Sequence, residues 1–379
     1  MPPTNNPIEI TEQFSINPES DHGLILQIKQ QATWMIASGK LNEGDTLPSI
    51  RELAEHLNVN MHTVRQAYNR LKNEGLVDIQ PRSKARILAY NPVSYIKHAS
   101  KIETHTIGII VPTLDNPFYH TMLQGIQSEF QTSDYLTYIC PTFDDSALAW
   151  RYFARLMING VDGVICVSHD LKEFIQIGSD APDIPLVSAD YPAETGFSVE
   201  LDHEQSGFLA THHLIEHGCQ RIALVRFVVD IPPILAIQRG YQKALEQAGI
   251  TFSPELVIPV NDYGRASGAE AALHILDLPQ RPDAVFIIAD QMALGFLESM
   301  QESGIKIPED IAVTSFNNIP EAAFCTPSLT TVAAPAEQLG RTAAAMLSSL
   351  ISGRTPEVKQ VKIPCKELII RQSCGCTQL

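Results

Sequence analysis

The chain has 379 residues, of which 44% are hydrophobic and 18% charged, and a formal net charge of −16. No apolar run approaches membrane-spanning length, which excludes a spanning protein, and seven scattered cysteines, an odd number, fit reduced thiols better than a disulfide framework. The start of the chain has no charged, apolar leader, so the protein is expected to be cytoplasmic.

Residues 1–21 are rich in Pro, Asn, Thr and Ser and are expected to form a loose arm. Residues 22–90 carry the most informative pattern. An opening amphipathic helix places Leu24, Ile28, Ala32 and Met35 on one face. Ser49 is suited to cap a second helix whose apolar positions are Ile50, Leu53, Ala54 and Leu57. Asn58, Val59 and Asn60 interrupt that face, and Asn60 caps a third helix that buries Val64, Ala67, Tyr68 and Leu71 and ends at Gly75. The outer face of the third helix offers His62, Thr63, Arg65, Gln66 and Asn69. Residues 76–79 alternate as a strand, 81–85 form a basic turn, and 86–90 return as a strand. Two short helices meeting at a tight polar turn, with a basic hairpin behind, make a winged helix whose third helix suits the DNA major groove.

Charge supports that reading. Residues 22–90 hold nine Lys/Arg against six acids, a net +3 in a chain of −16. Phosphate attraction supplies most non-specific DNA affinity, so a basic head on an acidic body fits duplex binding. The bland alternative, that these charges only solvate a small helical domain, is outweighed by the helix-turn-helix pattern they accompany.

The segment 22–90 resembles the GntR-type DNA-binding domain. The matching residues are Gly39-Lys40-Leu41, Gly44 to Ser49, Arg51-Glu52-Leu53-Ala54, Thr63-Val64-Arg65 and Glu74-Gly75-Leu76-Val77. The resemblance implies that Arg51, the start of the recognition helix (Asn60, Met61, His62, Thr63, Arg65) and the wing (Arg82, Lys84) touch DNA. Two departures stand out: Met61 occupies a position where the family usually has Arg, and Pro81-Arg82-Ser83-Lys84 replaces a Gly-rich wing. Met61 cannot make a bidentate guanine contact, so the preferred operator is expected to differ from the common half-site.

Residues 91–104 lack periodicity and are expected to form a linker. Residues 105–379 alternate apolar strands with amphipathic helices. Strands are expected at 106–111, 138–140, 161–167, 186–189, 221–225, 255–260, 284–289 and 311–316. Helices fall between them, for example at 119–130, 148–158, 204–217, 235–248 and 291–303. Such βα repeats give an α/β fold of mainly parallel sheets flanked by helices, with ligands beyond the C-terminal strand ends. The loops to inspect are 115–119, 168–170, 190–192, 226–233, 290 and 317–319.

Residues 105–379 resemble the sensor of the LacI family, itself similar to periplasmic sugar-binding proteins. The resemblance rests on Ile107 to Pro112 with Asn116-Pro117-Phe118-Tyr119, Gly160 to Ile165, Asp202 with His213-Leu214 and Gly218 to Ile222, Asp290 to Gly295, Pro308 to Val313, and Pro327 to Val332. It implies a two-lobed, periplasmic-binding-protein-like type I domain, with lobes of 105–201 plus 333–362 and 202–332 plus 363–379. Its crevice holds a small-molecule effector. The pocket departs from the family three times. Ile237 stands where Arg is common, Ala289-Asp290 where Asn-Asp is common, and Ser315-Phe316-Asn317-Asn318 where Gly-Phe/Tyr-Asp-Asp is common. These changes imply a less polar or differently shaped effector, or a sensor without one. The candidate ligand-binding positions are Asn116, Phe118, Tyr119, Asp190, Arg226, Ile237, Ala289, Asp290 and Asn317, with Arg226 either replacing the missing Arg or pairing with a surface acid.

No nucleophile elbow, phosphate loop or zinc-hydrolase motif is present, so no enzyme and no cofactor are expected. His213, His217 and Cys219 have a spacing that suits a metal but fit an ordinary helix end, and Cys374-Gly375-Cys376 reads as an inert tail, since two thiols alone make a poor site. The expected protein is a homodimeric transcription regulator, its combination of domains resembling arabinose-repressor-type regulators. It binds double-stranded operator DNA and is released by an effector, with a sugar or sugar derivative as the leading choice. An activator, a corepressor-dependent regulator, a solute-binding protein or an enzyme on the same scaffold are the alternatives.

Overall fold

The computed structural model describes residues 10–16, 24–37, 41–73, 75–80, 83–88, 104–131, 133–169, 184–193 and 196–376. The expected wing contact Arg82, and most of the expected arm and linker, lie outside the described residues. The chain divides into two compact units: Met1–Ile110 with Tyr135–Val164 and Leu171–Pro185, and Val111–Asp134 with Ile165–Asp170 and Leu186–Leu379.

The first unit contains the helical head. Helix α1 (Leu24–Ala37) packs on α3 (Met61–Asn73), with α2 (Ile50–Leu57) between them in sequence. Ile28, Ala32, Met35, Leu47, Leu53, Val64, Tyr68, Leu71 and Ile87 form one buried cluster, joined by Ile10 and Phe14 from the N-terminal segment. The Tyr68 hydroxyl donates to the Pro48 carbonyl at 2.8 Å, so the polar tip of this buried ring is satisfied. Strands β1 (Val77–Asp78) and β2 (Arg86–Ile87) pair antiparallel, a shorter ladder than the sequence predicts. The same unit holds β3 (Thr106–Val111) up to Ile110, β4 (Leu136–Pro141) and α5 (Ser146–Ile158), while α4 (Pro117–Phe130) belongs to the second unit.

The remaining elements are β5 (Gly163–Val167), β6 (Leu186–Ala189), β7 (Phe197–Leu201), α6 (His203–Glu216), β8 (Ile222–Phe227), α7 (Pro232–Gln247), β9 (Val257–Val260), α8 (Arg265–Leu276), β10 (Ala284–Ile287), α9 (Asp290–Glu302), β11 (Ala312–Asn317), β12 (Thr330–Ala333), α10 (Ala336–Ile351), β13 (Gln360–Ile363) and β14 (Leu368–Ile369). One six-stranded sheet has the order β13-β7-β6-β5-β3-β4 and the other β14-β12-β11-β10-β8-β9. In the second, every pairing is parallel except β12 with β14. Its central strands are apolar throughout (Ile222 to Val225, Ala284 to Ile287), as a sheet covered on both faces requires.

The predicted strand at 255–260 begins instead with a short 3-10 turn, Pro254–Leu256, because Pro254 fixes φ for a helical first position. Helix α4 starts two residues earlier than predicted, since Asn116 caps it by accepting from the Phe118 N–H at 3.0 Å and Pro117 fills the first turn. Elements β7, α8, β12, α10, β13 and β14 add to those the sequence pattern predicts. Among the described residues no helix is long and apolar enough to cross a membrane.

Candidate functional site

Two sites emerge, one in each unit. In the head, Ser49 and Glu52 form a complete capping box: the Glu52 N–H donates to Ser49 Oγ at 3.2 Å and the Ser49 N–H donates to Glu52 Oε2 at 2.8 Å. Asn58 ends α2 in the left-handed conformation (φ 51°), which turns the chain sharply into α3. Asn60 Oδ1 accepts from the His62 N–H at 2.8 Å, the local bond expected of a helix cap. Burial of Val64, Ala67, Tyr68 and Leu71 leaves Met61, His62, Arg65 and Asn69 exposed on the opposite face of α3 and Thr63 half-buried. His62 Nε2 lies 2.8 Å from Gln66 Nε2.

Two cations of the head rest on acids. Arg51 pairs with Glu55 at 2.8 Å, and the two side chains are 80% and 66% exposed, so water and phosphate can replace that pair readily. Lys84, from the turn between β1 and β2, donates to Glu52 Oε2 at 2.9 Å and ties the wing to the capping box. That bond, with the Ser49 backbone N–H, holds the Glu52 carboxyl below its ordinary range.

The second unit gathers polar groups at the C-terminal ends of β5 and β6. Ser168 (φ 54°) and Asp190 (φ 61°) are both left-handed non-glycine residues, a strained backbone of the kind that clusters at binding sites. Their N–H groups donate to Ala189 and Val199 carbonyls, each at 2.8 Å, which holds them in place. The Tyr119 hydroxyl reaches Ser168 Oγ at 3.4 Å, Ser168 Oγ reaches Asp190 Oδ2 at 3.5 Å, and His203 Nε2 meets Asp190 Oδ1 at 2.9 Å. His203 and Asp190 are both buried, and the carboxylate assigns the ring proton to Nε2. His203 Nδ1 is buried without a hydrogen-bond partner among the described residues. Phe118 meets Tyr119 edge-on at 5.3 Å, and Phe316 meets His203 likewise at 5.8 Å. Asn317 follows Phe316 at the end of β11 with φ 125°.

Other expected ligand positions are engaged elsewhere. Arg226 is buried and donates to Gln238 Oε1 at 2.6 Å, to the Phe227 carbonyl at 2.9 Å and to Asp230. It thus pairs with an exposed acid, Asp230. Asp290 is fully buried at the start of α9, accepting from the Thr331 hydroxyl at 2.7 Å and the Ile319 N–H at 2.9 Å. Burial outweighs those two bonds and pushes its carboxyl up to about 6. Ala289 is the buried cap residue before it, and Ile237 is buried on α7 with its carbonyl against Gly207. Asn116 directs its side-chain oxygen to the α4 cap. His203 and Ser168 are the residues that sequence reasoning left out of the candidates. Ser168 lies in an inspected loop, but nothing local marks His203, whose partner lies across β7.

Comparisons with known proteins place these features. Residues 24–87 match the family model described as bacterial regulatory proteins, gntR family, and residues 211–374 match the periplasmic binding protein-like domain. The chain is 30% identical over 291 residues to the HTH-type transcriptional repressor PurR of Aliivibrio fischeri strain MJ11, covering 76% of this chain and 86% of that one. It is 29% identical over 340 residues to the HTH-type transcriptional repressor CytR of Escherichia coli strain K12, covering 88% and 98%. A solved complex of the transcriptional regulator CelR with cellobiose superposes with a TM-score of 0.66 at 25% identity, covering 83% of this chain and 91% of that one.

Proposed function

The chain belongs to the LacI family of transcriptional regulators, with a GntR-type helix-turn-helix as its head, and on that footing we propose that it is a repressor released from its operator by a small polyhydroxylated effector. The observation that carries the proposal is the polar chain Tyr119–Ser168–Asp190–His203 at the strand ends, half-buried at its first two members and buried at its last two, in the same polypeptide as a capped recognition helix with an exposed outer face. Asp190 is the one carboxylate in that chain, and it accepts sugar hydroxyls well; Phe118 and Phe316 supply apolar faces beside it. Ile237 brings no guanidinium to the crevice, so the effector is held by hydroxyl contacts and shape rather than by a paired cation.

The relatives are regulators rather than enzymes, and that likeness supports reading this chain as a regulator. DNA reading falls to α3: Arg65, His62 and Thr63 reach base edges, and Arg51, Lys84 and Arg82 meet phosphates. Reading an operator with two-fold symmetry calls for a homodimer, working in the cytoplasm where the DNA lies. Effector binding shifts the dimer between two arrangements, by no more than the difference in effector affinity between them.

The test is fluorescence anisotropy of the full chain on a labelled fragment from upstream of its own gene, repeated across a panel of mono- and disaccharides. The proposal predicts tight binding and selective release by one sugar class. Binding that no member of the panel alters in either direction contradicts the effector half. Tightening by a sugar reverses the sign of the response.

A further inference from the structure

The tail after β14 does not hang free. The Ser373 N–H and hydroxyl and its neighbours stitch it to the sheet: the Val313 N–H donates to the Ser373 carbonyl at 2.7 Å, Ser373 Oγ donates to the Val313 carbonyl at 2.7 Å, and the Thr330 N–H donates to Ser373 Oγ at 2.8 Å. Gly375 then turns the chain at φ +79°, a conformation that favours glycine, and brings Cys376 back beside Cys374. Both sulfurs face the last turn of α6. There His213 Nε2 lies 3.2 Å from Cys376 Sγ, and one ligand atom each of His213, Cys374 and Cys376 falls within 4.8 Å of the others. His213 and Cys374 are buried, and Cys376 is partly so.

We propose that His213, Cys374 and Cys376 bind a soft divalent cation of the Zn²⁺ type, with solvent in the fourth position, and that this ion staples the end of the chain to α6. The donor set selects the metal: two thiolates and an imidazole suit zinc and exclude magnesium and calcium, which take oxygen. The dimensions agree. Bonds of about 2.3 Å to sulfur and about 2.0 Å to nitrogen in a tetrahedron put ligand atoms roughly 3.5–3.8 Å apart. One separation is 3.2 Å and all lie within 4.8 Å, so side-chain shifts of about 1 Å or less reach those distances.

The surroundings are those of a metal centre. The Thr330 hydroxyl accepts from the Arg371 N–H at 2.8 Å, which directs its proton to Cys374 Sγ at 3.1 Å; such a donor steadies a metal-bound thiolate. The His217 ring stacks edge-on against His213 with centroids 4.6 Å apart, which fixes the imidazole from the solvent side. Binding exchanges each thiol proton to solvent as its sulfur–metal bond forms, with no change of oxidation state. Helix α6 thereby carries His203 at one end and His213 ten residues along, about 15 Å away by helical rise.

The experiment uses the full chain, reduced and stripped with a chelator, then titrated with Co²⁺ alone and separately with Zn²⁺ alone. The expected result is one equivalent bound, a near-ultraviolet thiolate-to-cobalt band, and visible absorption of tetrahedral intensity, all displaced by Zn²⁺. Cys374→Ser with Cys376→Ser abolishes the band. Should the double variant fail to fold, His213→Gln and the stripped wild type supply the same readout. Absence of a thiolate band in folded wild type, or a band that survives His213→Gln and the double variant alike, overturns the site. A Cys374–Cys376 disulfide that forms as readily with Zn²⁺ present as without it overturns it too.

Discussion

The Asp190–His203 pair supports a quantitative prediction. The two side chains meet at 2.9 Å and are 9% and 7% exposed, so neither has water as an alternative partner. Asp190→Ala strands the His203 Nε2–H in the interior beside an Nδ1 that already lacks a partner. Stranding a buried group of this kind costs about 2–3 kcal/mol. For a domain of this size that lowers the melting midpoint by roughly 5–10 °C. Asp190→Asn keeps an acceptor oxygen facing the ring and costs under about 1 kcal/mol. His203→Ala removes the stranded donor, so the double variant Asp190→Ala with His203→Ala is no less stable than the worse single variant. The cycle then gives a coupling of about 1.5–3 kcal/mol. Thermal unfolding followed by calorimetry, with denaturant unfolding as a check, measures all four proteins. Simple additivity of the two single changes refutes the reasoning, because it means that the pair does not share a buried bond.

Further outcomes follow from other sites. Met61→Arg places a guanidinium at the exposed first residue of α3 and is expected to raise preference for guanine at one base position per half-site by about 1–3 kcal/mol, read by binding to a base-substituted operator set; an unchanged base profile rejects that placement of α3. A Cβ at Gly340 meets the Met122 carbonyl oxygen at 2.0 Å and one at Gly125 meets that of Glu337 at 2.2 Å. Gly340→Ala therefore pushes α10 off α4, lowers stability by about 1–3 kcal/mol and shifts the Asn116–Tyr119 start of α4, seen as a lower melting midpoint and weaker effector response. Asp290, whose carboxyl is raised from 3.8 to about 6, favours the folded state fully below the unfolded value and loses that contribution as pH rises through about 6. Stability of Asp290→Asn relative to wild type should therefore rise between pH 5 and 7 in thermal melts, and a difference flat with pH contradicts a buried ionisation.

What the sequence made legible is what neighbours in sequence decide. Ser49 and Glu52 stand three apart and form the capping box that their spacing predicts, and the apolar faces of α2 and α3 follow from residues three and four apart. Asn58, left-handed at the turn, belongs to the same local code. The polar site at the strand ends was legible only as a set of loops. Asp290 sits where a ligand contact is expected, yet turns inward because Thr331, 41 residues later, supplies a hydroxyl there. Arg226 is drawn away by Gln238 and Asp230 on the following turn and helix. His203 became part of the site only once β7 folded it back against Asp190. The thiols at the end of the chain were read as a tail because their partner His213 lies 163 residues before Cys376. Asp230 apart, four residues after Arg226, each deciding group lies a dozen or more residues away, and periodicity carries no information about it.

The measurement that bears most directly on the account is the salt dependence of binding by the intact chain to its upstream DNA. The head exposes Arg51, Arg65, Arg70, Lys72 and Arg86, with Lys84 partly exposed. If about six such groups neutralise phosphates, affinity falls by at least about 10³ between 50 and 200 mM salt, with a log–log slope near −5 per head. A steep slope of that kind, flattened by Arg65→Ala and Lys84→Ala, is the predicted result. Equal, weak and salt-insensitive retention of upstream and unrelated duplexes at low ionic strength contradicts it.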